Sequence, residues 1–229
     1  MPDKIIALAR QAGREILFED ESKELAATAG IPTVATYTAA TAEEALALAE
    51  SIGYPVVMKV RSTAATHKSD AGGVKLNLAG AEDVRLAFLE ITSQARREDP
   101  QANVTLQPMA EPGVEVIIGA TADQHFGPVM MFGLGGVFTE VLDDHGFRMI
   151  PVDRTAVASL VRSLRGSRLL QGYRNMPQVD LTALEDILLA VGDFMQKNQD
   201  IAELDLNPVT VYPRGALALD ARIKLKPRL

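Results

Sequence analysis

The stretch "YPVVMKVRSTAATHKSDAGGVKL", Tyr54 to Leu76, decides how the rest of the chain is read. "PVVMKV" is a short apolar run and reads as a buried strand, with "GGVKLNL" as its returning partner. Lys59 sits inside the first run and needs a company of opposite charge, because an ammonium buried alone is costly. It is either a lysine snorkelling at a strand end or one pointed into a cleft to meet phosphate. Gly72 and Gly73 expose backbone N–H groups and permit positive φ, which suits an anion-binding nest and equally an ordinary hairpin. His67, between the strands and beside Lys68, is either a solvated loop histidine or a nucleophile able to accept a phosphoryl group.

Working outward, "IIALARQAGREILF" (Ile5–Phe18) and "ESKELAATAG" (Glu21–Gly30) read as short amphipathic helices. In "TAEEALALAESIG", Thr41 and Glu44 form a capping-box pattern and Gly53 a stop. "AEDVRLAFLEITSQARRED" reads as a long helix. Residues 31–103 therefore read strand–helix–strand–strand–helix, a smaller lobe carrying the loop. Residues 104–229 read as a larger lobe on which the helices of residues 1–30 pack. Its strands are expected at "VTLQPM", "GVEVIIGAT", "GPVMMFGLGG" and "FTEVLDD", in an antiparallel run. Two helices, "TAVASLVRSL" and "LTALEDILLAVGDFMQKN", then lead to a closing hairpin. The whole of residues 1–229 is expected to be a single α+β unit of two lobes.

Two further stretches carry polar groups that need explaining. "GLGG", Gly133–Gly136, places three glycines in four residues between strands and suggests a close backbone approach. It is neither a dinucleotide fingerprint nor a Walker loop, since the helix and the Gly-Lys-Ser/Thr ending are missing. Glu140 beyond it is a metal ligand or a solvated strand residue. In "AELDLNPVTVYPRGALALDARIKL", strand alternation puts Glu203, Asp205 and Asn207 on one face and Leu204 and Leu206 on the other. A turn centred on Pro213-Arg214 pairs residues whose numbers sum to 427, which sets Asn207 opposite Asp220. A one-residue slip would reverse the faces. An amide and a carboxylate meeting there suit Mg²⁺, which takes one or two protein ligands plus water and phosphate oxygens; the alternative is an Asn-Pro turn and a surface aspartate. His125 and His145 lie in turn-like segments and read as solvated.

Composition narrows the field. There are no cysteines, so disulfides and thiolate metal sites are excluded. A net charge of −7 argues against a nucleic-acid partner. No apolar run reaches the roughly 18 residues of a membrane span, and the charged N-terminus lacks a signal-peptide core. The expectation is a cytoplasmic protein.

Together, "SKELAATAGIP", "YPVVMKVRSTAATHKSDAGGVKL", "QPMAEPGVEVIIGATADQHFGPVMMFGLGGVFTEV" and "AELDLNPV" resemble, in that order, the ATP-grasp domain of the ADP-forming acyl-CoA (acetyl-CoA) synthetases, relatives of the succinyl-CoA synthetase β subunit. The resemblance implies two α+β lobes with a nucleotide cleft between them, binding ATP or ADP with Mg²⁺. It implies that Lys59 contacts phosphate and that Gly72 and Gly73 belong to the glycine loop covering the phosphates. Gln107, Pro108 and Met109 would offer backbone groups to the adenine edge, and Glu115 would lie near the ribose. Asn207 and Asp220 would hold Mg²⁺. Asp205, Glu140, Gly135 and Gly136 are further candidate site residues with no role assigned by the resemblance. His67 would carry phosphate between sites, with Lys68 and Lys75 offsetting the charge of the phosphoryl group. The family's CoA-binding Rossmann domain lies outside such a region, so a CoA-binding α subunit or fused domain is the expected partner. A nucleotide-binding regulatory module paired with a protein acyltransferase, or another ATP-grasp ligase, are the alternatives; an intact set of His67, Lys59, Asn207 and Asp220 favours catalysis over sensing. The acid substrate is not legible, because the residues that would read it are expected on the partner.

Overall fold

The computed structural model describes residues 2–64, 72–136, 144–174 and 177–227. The chain divides into two compact units. The smaller comprises Phe18–Asp20 and Val34–Glu111; the larger comprises Met1–Leu17, Glu21–Thr33 and Pro112–Leu229.

The smaller unit is a four-stranded antiparallel sheet with two helices. Its strands are β1 (Tyr37–Ala39), β2 (Val56–Arg61), β3 (Val74–Leu78) and β4 (Asn103–Pro108), in the order β1-β4-β2-β3. Helices α3 (Ala42–Ile52) and α4 (Ala81–Ala95) bury Ala45, Ala49, Val84, Phe88 and Ile91 in one core with Val56, Met58 and Val60 of β2. Alternation along β2 then sends Lys59 to the sheet's other face. The Thr41 hydroxyl caps α3 by accepting from Glu44 N–H, while the Glu44 carboxylate accepts from Ala40 N–H, one residue earlier than a strict capping box. Gly53 ends the helix at φ +90°.

β4 marks a difference from the sequence reading, which assigned "VTLQPM" to the larger lobe. It pairs on both sides within the small sheet, with β1 and with β2. Ladder hydrogen bonds on both edges, with Val104 and Leu106 in the small core, hold it there.

The larger unit carries a six-stranded sheet. Its strands are β5 (Val114–Asp123), β6 (Gly127–Leu134), β7 (His145–Met149), β8 (Ile201–Val211), β9 (Ala216–Ala218) and β10 (Arg222–Leu225). The order is β10-β8-β5-β6-β7, with β9 also pairing β8, and all pairings are antiparallel. Helices α5 (Arg154–Ser163) and α6 (Leu181–Lys197) supply Val157, Leu160, Leu184, Leu188 and Val191 to its core, against Met130 and Phe132 of β6. Helix α1 (Pro2–Gln11) adds Ile6 and Ala9, and α2 (Glu19–Thr28) adds Leu25 and Ala26.

Two expectations change here. The helix expected over Ile5–Phe18 stops at Gln11, and Gly13 takes φ +69°. The chain beyond it runs extended along β10, where Leu17 N–H donates to Ile223 O and Leu225 N–H to Glu15 O. Those long-range bonds outweigh the few more turns that local periodicity offered. The strand expected at "FTEVLDD" falls almost wholly outside the described residues. The strand beside β6 is instead β7, "HGFRM", whose pattern of exposed and half-buried residues gives little apolar signal.

Candidate functional site

The candidate residues form two groups, one in each unit. In the smaller unit, Lys59 is 6% exposed and its ammonium lies 2.6 Å from Glu19 Oε1; Glu19 is itself 3% exposed. The partner that an apolar strand demands for its lysine is thus a carboxylate at the start of α2. Its neighbours repeat the arrangement. Asp20 Oδ1 accepts from Arg61 Nε at 2.8 Å, and the Arg61 guanidinium stacks 3.8 Å from the centre of the Phe18 ring. Phe18-Glu19-Asp20 therefore grips two cations that stand two residues apart on one face of β2.

Around the loop, Gly72 has φ +68° and open space where a Cβ would sit, so conformation, not crowding, calls for glycine there. Gly73 closes the strand pair, its carbonyl accepting from Val60 N–H at 2.7 Å. Lys75 is turned to α4, with its ammonium 2.7 Å from Glu90. His67 and Lys68 lie outside the described residues, as does Glu140 of the larger unit. The segment leading into the loop is tied down by Asp99, a residue the sequence reading passed over. Asp99 Oδ2 accepts from Ser62 Oγ, Thr63 N–H and Thr63 Oγ1 at 2.9, 2.8 and 3.0 Å. The backbone bond from Thr63, with the two hydroxyls and Gln101 N–H, holds the Asp99 carboxyl below the usual carboxylate range against the effect of burial. The Asp-Pro pair at 99–100 was the available signal for a turn at which such bonds form.

At the end of β4, Gln107 is buried, Pro108 half-buried and Met109 exposed. Met109 N–H donates to Pro55 O at 3.1 Å, so that donor is engaged within the unit.

In the larger unit the "GLGG" turn makes the close approach its glycines suggested. Gly135 N–H donates to Glu115 O at 2.8 Å, and a Cβ on Gly135 would stand 2.9 Å from the Glu115 carbonyl carbon. A Cβ on Gly136 would meet Glu115 Oε2 at 3.3 Å. Glu115 is exposed on β5, with these two glycines against it.

The closing hairpin keeps the register in which paired numbers sum to 427. Val209 faces Ala218 and Val211 faces Ala216 on one side of the turn's arms; Asp205 faces Arg222 and Glu203 faces Lys224 further along. Asn207 and Asp220 stand in the gap between these two ladders. As alternation requires, Leu204 and Leu206 are buried while Asn207 is exposed and Asp205 half-buried. Burial first, and then the charge of Asp220, push the Asp205 carboxyl above its ordinary range; Arg222 opposes this and Glu203 adds to it. Carboxylates and an amide are oxygen donors of the kind a hard cation takes. Among the described residues there is no cluster of three or more His, Asp or Glu suited to a metal. Elsewhere, His125 is exposed in the β5–β6 turn and His145 is exposed on β7, edge-on to Phe147. No helix among the described residues is long and apolar enough to cross a membrane.

The chain as a whole resembles known proteins. Residues 8–225 match the family described as ATP-grasp domain. The β subunit of acetate–CoA ligase (ADP-forming) II of Pyrococcus furiosus is 42% identical over 229 residues, covering 97% of each chain. Acetate–CoA ligase (ADP-forming) II of Archaeoglobus fulgidus is 44% identical over 93% of this chain, which spans 31% of that relative's length. Among solved structures, the acetyl-coenzyme A synthetase 1 of Ca. Korarchaeum cryptofilum in complex with coenzyme A and Ca-AMPCP has a TM-score of 0.93 at 41% identity, covering 99% of this chain and 100% of that one. Another structure of that enzyme holds coenzyme A and Mg-AMPPCP, with a phosphohistidine segment pointing towards the nucleotide-binding site. With likeness of this extent, the chain belongs to the ATP-grasp family, and it is similar along nearly its whole length to the β subunit of an ADP-forming acetate–CoA ligase.

Proposed function

We propose that this chain is the nucleotide-binding part of an ADP-forming acid–CoA ligase, passing a phosphoryl group between His67 and ADP. The net reaction is acyl-CoA + ADP + phosphate ⇌ acid + CoA + ATP, completed with a CoA-binding partner that is separate or fused. The observation that carries this reading is the full-length likeness to the Pyrococcus β subunit, where the relative is nearly coextensive with this chain. The Archaeoglobus relative, about three times as long, supports a partner that is joined in some proteins and separate in others.

In this reading Lys59 and the backbone N–H groups at Gly72 and Gly73 receive the phosphates. Gln107, Pro108 and Met109 lie along the adenine edge, and Glu115 meets the ribose. The Asn207 amide oxygen and the Asp220 carboxylate would hold Mg²⁺, which would offset the negative charge of the phosphates. Asp205, beside Asp220, adds negative potential to the same face. Transfer breaks the P–N bond of the phosphorylated imidazole as a β-phosphate oxygen of ADP forms the new P–O bond. The electron pair of the broken bond returns to the ring nitrogen. The chain's residues supply position and charge for this step and need supply no other covalent chemistry. The choice of acid is left to the partner.

Reconstitution tests the assignment. Mixed with the CoA-binding partner, the chain should support ATP formation from acyl-CoA, ADP and phosphate. The purified chain alone should bind Mg-ADP without turning over. Full turnover by the single chain, or none by the assembled pair, would overturn it.

A further inference from the structure

Lys59 is the cation given the phosphates in the proposed function, and its ammonium is already committed to a geometry. Glu19 Oε1 stands 2.6 Å from it, and both side chains are almost fully buried. A buried lysine with no fixed acceptor would be free to turn its long stem among several rotamers, and ordering that stem opposes binding. An ammonium has three N–H donors, so a bond to one carboxylate oxygen is compatible with others aimed at phosphate. Glu19 is also held from both sides, since Phe18 stacks on Arg61 and Asp20 accepts from Arg61 Nε. The acceptor is therefore itself anchored to the strand that carries the lysine.

We infer that Glu19 is a positioning residue for the nucleotide phosphates, holding the Lys59 ammonium in its binding geometry before nucleotide arrives. The inference rests on the assignment of Lys59 to the phosphates. A carboxylate so placed has two opposing effects on an anionic ligand. Its charge works against the phosphate, and its hydrogen bond fixes the cation that receives it. At 2.6 Å and in a buried setting, the fixed cation is the larger effect, because a short charge-assisted bond shielded from water holds the ammonium strongly in place.

A double-mutant cycle on the full chain tests this, reading Mg-ADP affinity by calorimetry and folding by thermal denaturation. Glu19→Gln keeps shape and an acceptor oxygen but removes the charge; it should weaken Mg-ADP binding roughly tenfold, the scale of a charge-assisted hydrogen bond. Glu19→Asp should recover part of the loss and also serves if the glutamine variant folds poorly. In a Lys59→Met background, Glu19→Gln should change affinity no further. Asp20→Asn, which loosens the Arg61 anchor but leaves the Glu19–Lys59 bond itself in place, should cost less Mg-ADP affinity than Glu19→Gln. Lower melting temperature with unchanged affinity would make the pair merely structural and overturn the inference. Tighter binding by Glu19→Gln would make Glu19 a restraint on Lys59 and overturn it likewise. A wild-type chain that binds no Mg-ADP, or Lys59→Met with undiminished affinity, would instead remove the assignment on which the inference stands.

Discussion

Leu219 donates its amide hydrogen to the carbonyl of Pro208 across 2.9 Å. That bond keeps the hairpin in step through the gap where Asn207 and Asp220 stand. The ladder residues on both sides share one register, so backbone pairing holds the two candidate ligands opposite each other. Removing either side chain should therefore alter the site and leave the hairpin intact.

Asp220→Ala should weaken Mg-ADP binding by at least roughly tenfold, since it removes one of only two protein ligands proposed for the metal. Its melting temperature should stay close to that of the wild type. Calorimetry at several Mg²⁺ concentrations checks this; an affinity that keeps its wild-type value would place the metal elsewhere.

In the assembled complex, His67→Ala should abolish phosphoryl transfer to ADP while Mg-ADP binding persists. The wild-type chain should carry acid-labile, base-stable phosphate after incubation with Mg-ATP, and the mutant none. Substantial turnover by the mutant would show phosphate reaching ADP by another route.

Gly135→Ala should destabilise the larger unit by about 1–3 kcal/mol. The added methyl would stand within 3.0 Å of the Glu115 backbone, which belongs to a paired strand and cannot easily shift. Gly80→Ala is the comparison, with open space around the new methyl and an extended backbone; it should cost less than Gly135→Ala, its only loss being that alanine is the poorer N-cap for α4. Urea denaturation of both variants decides the point.

Asp99 gives the pH dependence. Its carboxyl is held below the ordinary value of about 3.9 in the folded chain, chiefly by Thr63 N–H, so the folded state favours its ionised form. Folding stability from these bonds is then fully present above that ordinary value and is lost as pH falls through the lower folded value. The stability difference between wild type and Asp99→Asn should be constant near neutrality and shrink as pH drops below about 4. Denaturation curves from pH 7 to pH 3 test this; a gap that widens on acidification would contradict it.

Much of the hairpin was legible because its period and its turn are local. Alternation of Leu204 and Leu206 with Asp205 and Asn207 sets the faces, and a turn at Pro213-Arg214 sets the register. The "GLGG" turn was legible as a close approach, although what it approaches, the backbone of Glu115, lies some twenty residues upstream and carries no mark of it. β7 was not legible, because edge pairing with β6 and not apolar patterning makes it a strand. The end of α1 at Gln11 was missed for a similar reason, since the competing bonds come from β10 at the far end of the chain.

The sequence by itself determined the α+β class, the helix caps at Thr41 and Gly53, and the facing of Asn207 and Asp220. Each depends on periodicity, capping or turn chemistry acting over a few residues. Only the tertiary structure decided which sheet takes β4, which carboxylate meets Lys59 and which carboxylate holds Ser62 and Thr63. The sequence stated that Lys59 required an acceptor, because a buried ammonium cannot stand alone. It could not choose among the chain's 30 acidic residues, because that choice belongs to how Phe18–Asp20 packs against β2, forty residues away.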